Sequence, residues 1–188
     1  MKKLIRYLVS KREYFSSKIR LFLLMSSGMV TAGKDCRYDR RAVFDMEGMT
    51  DQSHLYIGDA THIKKFAIIA PRSGIIKIGT GVTINPFCFI YGYGGVRIGD
   101  NTRIASGCKI ISFNHNFGDS SQSVVKQGNT AKGIEIGSNV WLGADVKILD
   151  GVTIGDSCVI GAGSIVTKSI PKNSVAAGNP AKILNLIK

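Results

Sequence analysis

The chain has 188 residues, room for one well-buried domain with an appendage but scarcely for two independent cores. It is 44% hydrophobic, with 22 Gly and only 4 Pro, which excludes a disordered or collagen-like chain and requires the glycines to serve particular positions. A formal charge of +12 favours an anionic partner, whether nucleic acid, an acidic membrane face, an anionic glycan or a phosphate-bearing cofactor.

The first stretch, "MKKLIRYLVSKREYFSSKIRLFLLMSSGMV", reads as a basic amphipathic helix. Leu4, Leu8, Phe15, Ile19 and Phe22 can share one face, while Lys2, Lys3, Arg6, Lys11, Arg12, Lys18 and Arg20 stand against the single acid Glu13. The apolar run from Leu21 to Met25 is too short to span a bilayer, and the charges before it do not fit a cleavable signal peptide. Such a helix can lie on an anionic inner leaflet or cover an exposed edge of the domain that follows. Residues 31–54, with "DCRYDRRAVFDMEGMT", read as an irregular or short-stranded lead-in, so the division expected is an appendage over 1–54 and a domain over 55–188.

From there a period of six takes over. It runs through Ile57, Ile63 and Ile69, then Ile78, Ile84 and Ile90, then Ile98, Ile104 and Ile110, and most strictly through Ile136, Leu142, Ile148, Ile154, Ile160 and Val166. Four residues after each of the last six stands a small or β-branched side chain: Val140, Val146, Val152, Cys158, Ser164 and Ile170. Neither a helix, with its period of 3.6, nor a lone strand, with its period of 2, repeats every six residues; a short strand plus one corner does. The expectation is an all-β solenoid in which each inward aliphatic stacks on its equivalent about 4.8 Å away. The N-terminal helix then has a second use, as the cap that a solenoid end requires. Cys36, Cys88, Cys108 and Cys158 form no CxxC pair, and three of them fall where the repeat puts small buried side chains, as reduced thiols do.

The rhythm breaks between Ile111 and Ile134. "SFNHNFGDSSQSVVKQGNTAKG" is polar and aperiodic, a loop over 112–133 thrown out from one corner, and such loops are where solenoids place function. His115 stands at its root. An imidazole with an ordinary pKa near 6.5 can accept a proton at neutral pH, which makes it a general-base candidate against the alternative of a solvated loop residue. His54, His62 and His115 are the only histidines. A zinc site needs ligands that converge, but His115 has no histidine close to it in sequence and His54 and His62 precede the regular coils as surface or capping residues, so no metal is expected.

This repeat resembles that of the hexapeptide-repeat acyltransferases, over about residues 55–184. The resemblance implies a left-handed parallel β-helix with three hexads per coil, and a homotrimer with active sites between subunits. The run "INPFCFIYGYGGVRIGDNTRIASGCKIISFNH" is similar to the sugar O-acetyltransferases of the galactoside and maltose type. Within it Asn85 matches an active-site asparagine and His115 the catalytic base; an amide can orient the acceptor hydroxyl or brace the oxyanion, and it can equally be a turn residue ahead of Pro86. Tyr93 stands where that branch has an acidic acceptor-binding residue, which implies a different acceptor.

Downstream, "NVWLGADVKILDGVTIGDSCVIGAGSIVTKSIPKNSVAAGNPAKIL" is similar to the family's coenzyme A groove. Trp141 is expected at a corner outside the coil, walling a pocket or a subunit contact. Gly143 and Ala144 leave room for the pantetheine arm, with a main-chain N–H for the thioester carbonyl. Ala162, Thr167 and Lys168 match groove positions, and Lys168 and Lys182 are the cations expected at the coenzyme A phosphates. The closing segment 171–188 contains "GNPAKILNLIK", which resembles the family's final signature, with Gly178 and Pro180 at a turn.

The resemblance therefore implies an acetyl-coenzyme A-dependent O-acetyltransferase acting on a sugar hydroxyl, in the cytoplasm or at the inner face of the membrane, with a role in bacterial surface polysaccharide assembly. The alternatives are an acetyltransferase for a xenobiotic such as an antibiotic, and a non-catalytic trimeric scaffold or glycan-binding module. No nucleic-acid-binding motif accompanies the charge, which argues against nucleic acid as partner.

Overall fold

The computed structural model describes residues 22, 23, 25, 26 and 28–187, so the predicted N-terminal amphipathic helix lies almost entirely outside the described residues. Short strands alternate with tight corners and wind three parallel sheets into a β-solenoid of six full coils and part of a seventh. Its first face runs from Val30–Ala32 through His54–Ile57, Ile75–Ile78, Val96–Ile98 and Ile134–Ile136 to Thr153–Ile154. Its second face runs from Arg37–Tyr38 through His62–Ile63, Thr83–Ile84, Arg103–Ile104, Trp141–Leu142 and Val159–Ile160 to Ser174–Gly178. Its third face runs from Val43–Phe44 through Ile68–Ala70, Phe89–Tyr91, Lys109–Ile111 and Lys147–Ile148 to Ile165–Val166. The first, second and third corners follow the faces of the same number.

The period of six is the register of this stack. On the second face Ile63 pairs with Ile84, Ile84 with Ile104, Ile104 with Leu142 and Leu142 with Ile160. On the third, Ile69, Ile90, Ile110, Ile148 and Val166 follow one another in the same way, all fully buried. β-branched side chains suit this packing, because their stiff χ1 fits a pleated surface and costs little to order. At the first corner successive coils approach so closely that a Cβ on Gly99 would lie 2.5 Å from the Gly137 carbonyl carbon, which is why glycine follows the inward aliphatic there. The corner polar groups are satisfied between coils: Asp59 accepts from the Lys34 N–H at 2.7 Å, Asp100 from that of Thr80 at 2.8 Å, and Asp156 from that of Ser138 at 2.7 Å.

The solenoid begins earlier than the aliphatic rhythm marks. Within the lead-in over 31–54, expected to be irregular or short-stranded, short strands from Val30 to Phe44 form a complete coil paired with the next: Val30 with Leu55, Tyr38 with Ile63, Phe44 with Ile69. The spacing of six persists at Ala32, Tyr38 and Phe44, but two of the three inward places hold aromatic rings, packed edge-on 5.4 Å apart. Cys36 accordingly occupies the same small buried position as the other three cysteines. All four are free and buried, and each donates to a carbonyl of the next coil, as Cys36 does to Gly58 at 3.2 Å and Cys88 to Ala105 at 3.0 Å.

At the far end, Ala181–Leu186 turns back antiparallel on Ser174–Gly178, with a register shift between Val175 and Ala176 and a cis bond at Asn179–Pro180. This closing hairpin leaves Leu184 and Leu186 exposed.

Candidate active site

The break at the third corner is an ordered hairpin. Asn114 and His115 pair antiparallel with Thr130 and Asn129, and a single 3-10 turn, Val124–Gln127, lies between them. Its feet are clamped to the solenoid. The buried Ser112 hydroxyl donates to the Tyr91 carbonyl at 2.9 Å, and Asp150 accepts from the N–H groups of Lys132 and Gly133 at 2.9 Å each. Inside the hairpin, the Gln127 amide both accepts from the Asp119 N–H at 2.9 Å and donates to the Asp119 carbonyl at 2.8 Å. The Asp119 carboxylate accepts from Ser121 Oγ at 2.6 Å, Ser121 N–H at 2.9 Å and Gln122 Nε2 at 2.7 Å. Those bonds hold its pKa below the ordinary value, the Ser121 hydroxyl contributing most. Asp119 thus braces the hairpin tip.

His115 is exposed and packs its imidazole edge-on to Phe113, ring centroids 4.8 Å apart. Phe113 also meets Tyr93 at 5.3 Å and Tyr91 at 6.0 Å, so two residues singled out in the sequence, Tyr93 and His115, flank one phenyl ring. Tyr91 in turn lies under the Arg72 guanidinium at 5.4 Å, itself paired with Asp45 at 2.8 Å.

At the foot of the hairpin a groove of about 780 Å³ opens along the first face. Gly94, Lys132 and Gly133 line it at the foot of the hairpin, and Lys77, Arg97 and Glu135 line it in register on successive strands. Lys77, Arg97 and Lys132 give it a positive balance over Glu135 and Asp100. Sequence reasoning missed this groove. Its signal was the outward position one residue before each inward aliphatic, held by Lys77 before Ile78 and Arg97 before Ile98.

The remaining candidates stand elsewhere. Asn85, Gly143, Ala144 and Ala162 share the second corner, across the third face from His115. The Asn85 amide accepts from Lys64 Nζ at 2.8 Å and donates to the Ile104 carbonyl at 2.8 Å, tying three coils together. The Gly143 N–H is committed to the Ile160 carbonyl at 2.8 Å, so the thioester contact expected at this corner cannot come from that group. Trp141 is outside the coil and 56% exposed, but it sits on the second face between Arg103 and Val159 and not at a corner, because Trp141–Leu142 is a paired strand. Thr167 and Lys168 are exposed at the third corner, and Lys182 is exposed on the returning strand opposite Ala177. One chain therefore splits the expected donor groove between two corners and the closing hairpin. His54 meets Thr31 Oγ1 at 2.9 Å on the first face and His62 meets Asp39 at 3.1 Å on the second, each far from the hairpin in the winding of the chain. Among the described residues no three His, Cys, Asp or Glu side chains gather as a metal site would require.

Residues 133–168 match the family model described as bacterial transferase hexapeptide (six repeats). A protein of Escherichia coli named for lipopolysaccharide biosynthesis O-acetyl transfer, WbbJ, is 38% identical over 120 residues, which are 59% of this chain and 60% of that one. The chain spans 51 to 60% of the length of such curated relatives. Among solved structures, a maltose O-acetyltransferase from Clostridium difficile superposes with a TM-score of 0.55 at 26% identity, covering 96% of this chain and 89% of that one. AntD, an N-acyltransferase from Bacillus cereus solved with dTDP and 3-hydroxybutyryl-CoA, gives a TM-score of 0.74 over 87% of each chain; at 20% identity this is a likeness of fold.

Proposed function

We propose that this chain, which belongs to the hexapeptide-repeat transferases, transfers an acetyl group from acetyl-coenzyme A to a sugar hydroxyl with His115 as general base. The observation that carries the reading is an exposed imidazole on a clamped hairpin, at whose foot a basic groove opens. The sugar-acting names among the similar proteins, WbbJ and the maltose enzyme, support the acceptor class. AntD, bound to an acyl-coenzyme A, supports the donor class.

In this mechanism the acceptor hydroxyl lies against His115. The imidazole takes its proton as the oxygen attacks the thioester carbonyl carbon, the C–S bond breaks, and the imidazolium returns the proton to the departing thiolate. An acetyl ester and free coenzyme A result. Tyr93, beside Phe113, is assigned to the acceptor, and the Ala144 N–H is the main-chain donor assigned to the thioester oxygen in place of Gly143. Lys168 and Lys182 are assigned to the coenzyme A phosphates.

The split of donor residues between the second and third corners supports a homotrimer, in which the second corner of one subunit faces the third corner of its neighbour. Surface polysaccharide precursors are the acceptors assigned, in the cytoplasm or at the inner face of the membrane, with the N-terminal helix as solenoid cap or membrane contact. The test is release of coenzyme A thiol from acetyl-coenzyme A on adding candidate sugar acceptors, run beside His115→Ala. Acceptor-dependent release that the substitution abolishes supports the reading; equal release by both proteins removes His115 from the chemistry, and no acetyl-coenzyme A binding by the wild type turns the chain into a scaffold.

A further inference from the structure

One position of the second corner takes left-handed backbone coil after coil: Phe66 (φ 64°), Phe87 (φ 63°), Gly107 (φ 80°), Asp145 (φ 58°) and Gly163 (φ 72°). Glycine and aspartate adopt that conformation readily, the one having no Cβ and the other hydrogen-bonding locally. A phenylalanine has neither advantage, and two in adjacent coils mark strain retained for a use. What the strain produces is a flat stack. The two rings lie 5.1 Å apart and 9° from parallel, and the Arg41 guanidinium covers the Phe66 end at 5.4 Å.

The other end is open. Phe87 is 60% exposed, and the next member of the column, Gly107, has no side chain to stack on it. Beyond it the Asp145 carboxylate folds down against Gly107, where a Cβ would collide with it. Lys109 reaches over from the third face, its ammonium 3.1 Å from the Gly107 carbonyl and 3.4 Å from that of Phe87. An exposed aromatic face, a hydrogen-bond acceptor beyond it and a cation beside it match the parts of one ligand class, a nucleotide.

We propose that Phe87 is a stacking platform for the nucleobase of a nucleotide ligand, the base continuing the Phe66–Phe87 stack over Gly107 while Asp145 accepts from an N–H on the edge of the base (exocyclic in adenine, on the ring in uracil or thymine) and Lys109 meets its phosphate. The site stands on its own geometry, and rests on the transferase reading only for what the nucleotide is attached to. Two sources carry the same chemistry, the adenosine bisphosphate of the donor and the nucleoside diphosphate of an activated sugar acceptor.

Equilibrium titrations read the site without turnover, so a failed transferase assay leaves this test intact. Adenosine 3′,5′-bisphosphate and, separately, uridine and thymidine diphosphates are titrated into wild type, Phe87→Ala, Phe87→Trp and Phe87→Gly, with thermal melting and sedimentation of each. At least one nucleotide should bind the wild type saturably, weaken about tenfold or more in Phe87→Ala and Phe87→Gly, and keep its affinity in Phe87→Trp, whose larger ring still stacks. Phe87→Gly should also melt no lower than Phe87→Ala, since it relieves the left-handed strain. Binding of the adenosine compound alone assigns the platform to the donor, and binding of a pyrimidine diphosphate assigns it to the acceptor. No binding by the wild type, or binding indifferent to Phe87→Ala, overturns the proposal. A fall in sedimenting mass in Phe87→Ala with no nucleotide bound by the wild type does so too, and identifies the stack as a subunit contact.

Discussion

Phe113 stands edge-on to His115, with ring centroids 4.8 Å apart and planes at 77°. The two residues are separated by one position, so an extended backbone turns both side chains to the same side, and Phe113 is itself fixed by Tyr93 and Tyr91. The aromatic cluster therefore sets the azimuth of the imidazole.

On the proposed general-base role, His115→Ala should lower kcat by about 10² to 10⁴. Phe113→Ala leaves His115 in place and frees its ring, so the proposed role predicts a smaller loss in kcat with little change in the KM for acetyl-coenzyme A. Steady-state thiol-release kinetics separate the two; a Phe113→Ala enzyme with wild-type kcat would remove the positioning role.

The hairpin tip carries a pH dependence of known sign. The pKa of Asp119 is lowered in the folded chain by Ser121 and Gln122, so its contribution to ordering the tip is complete above the ordinary carboxyl range near 4 and is lost as the pH falls through the lowered value. Amide exchange at Ser121 should stay slow down to about pH 4 in the wild type and be fast at every pH in Asp119→Ala. Slow exchange in the variant would refute the brace.

The column of inward aliphatics supplies the core, and its middle is the least able to relax. Ile104→Ala, fully buried between Ile84 and Leu142, should cost about 2 to 5 kcal/mol in urea unfolding. Val43→Ala, on the outer side of a strand and 40% exposed, should stay within about 0.5 kcal/mol.

At the first coil, burial, and after it the nearby Cys36, pushes the Tyr38 hydroxyl well above its ordinary pKa of 10.0. The folded chain then keeps a proton that the unfolded chain releases, so stability is full below about pH 10 and declines as the pH rises beyond it. Tyr38→Phe should flatten that alkaline decline in melting temperature; an unchanged slope would assign it to other groups.

For the proposed donor groove, Lys168→Glu should weaken acetyl-coenzyme A in calorimetric titration by about tenfold, as loss of a charge-assisted contact with a phosphate plus repulsion would. Unchanged affinity would remove Lys168 from the site.

Much of this was written in the chain. The spacing of six from Ile57 to Val166 stated the solenoid, because only a side chain that must stack on its equivalent one coil away recurs at that interval, and the lapse after Ile111 stated where the hairpin leaves it. The first coil was hidden because Tyr38 and Phe44 fill inward places that an aliphatic pattern cannot count. Side-chain pairing was not legible either. That Asp119 braces its own turn is decided by side-chain geometry two residues away, while the ties of Asn85 to Lys64 and Ile104 and of the Gly143 N–H to Ile160 are facts of distance between coils some twenty residues apart. The sequence by itself determined the architecture, since inward packing repeats and leaves a period. Only the tertiary structure decided which residues share a corner, because each coil returns to the same place after three faces, and neighbours there are set by the winding and not by order along the chain.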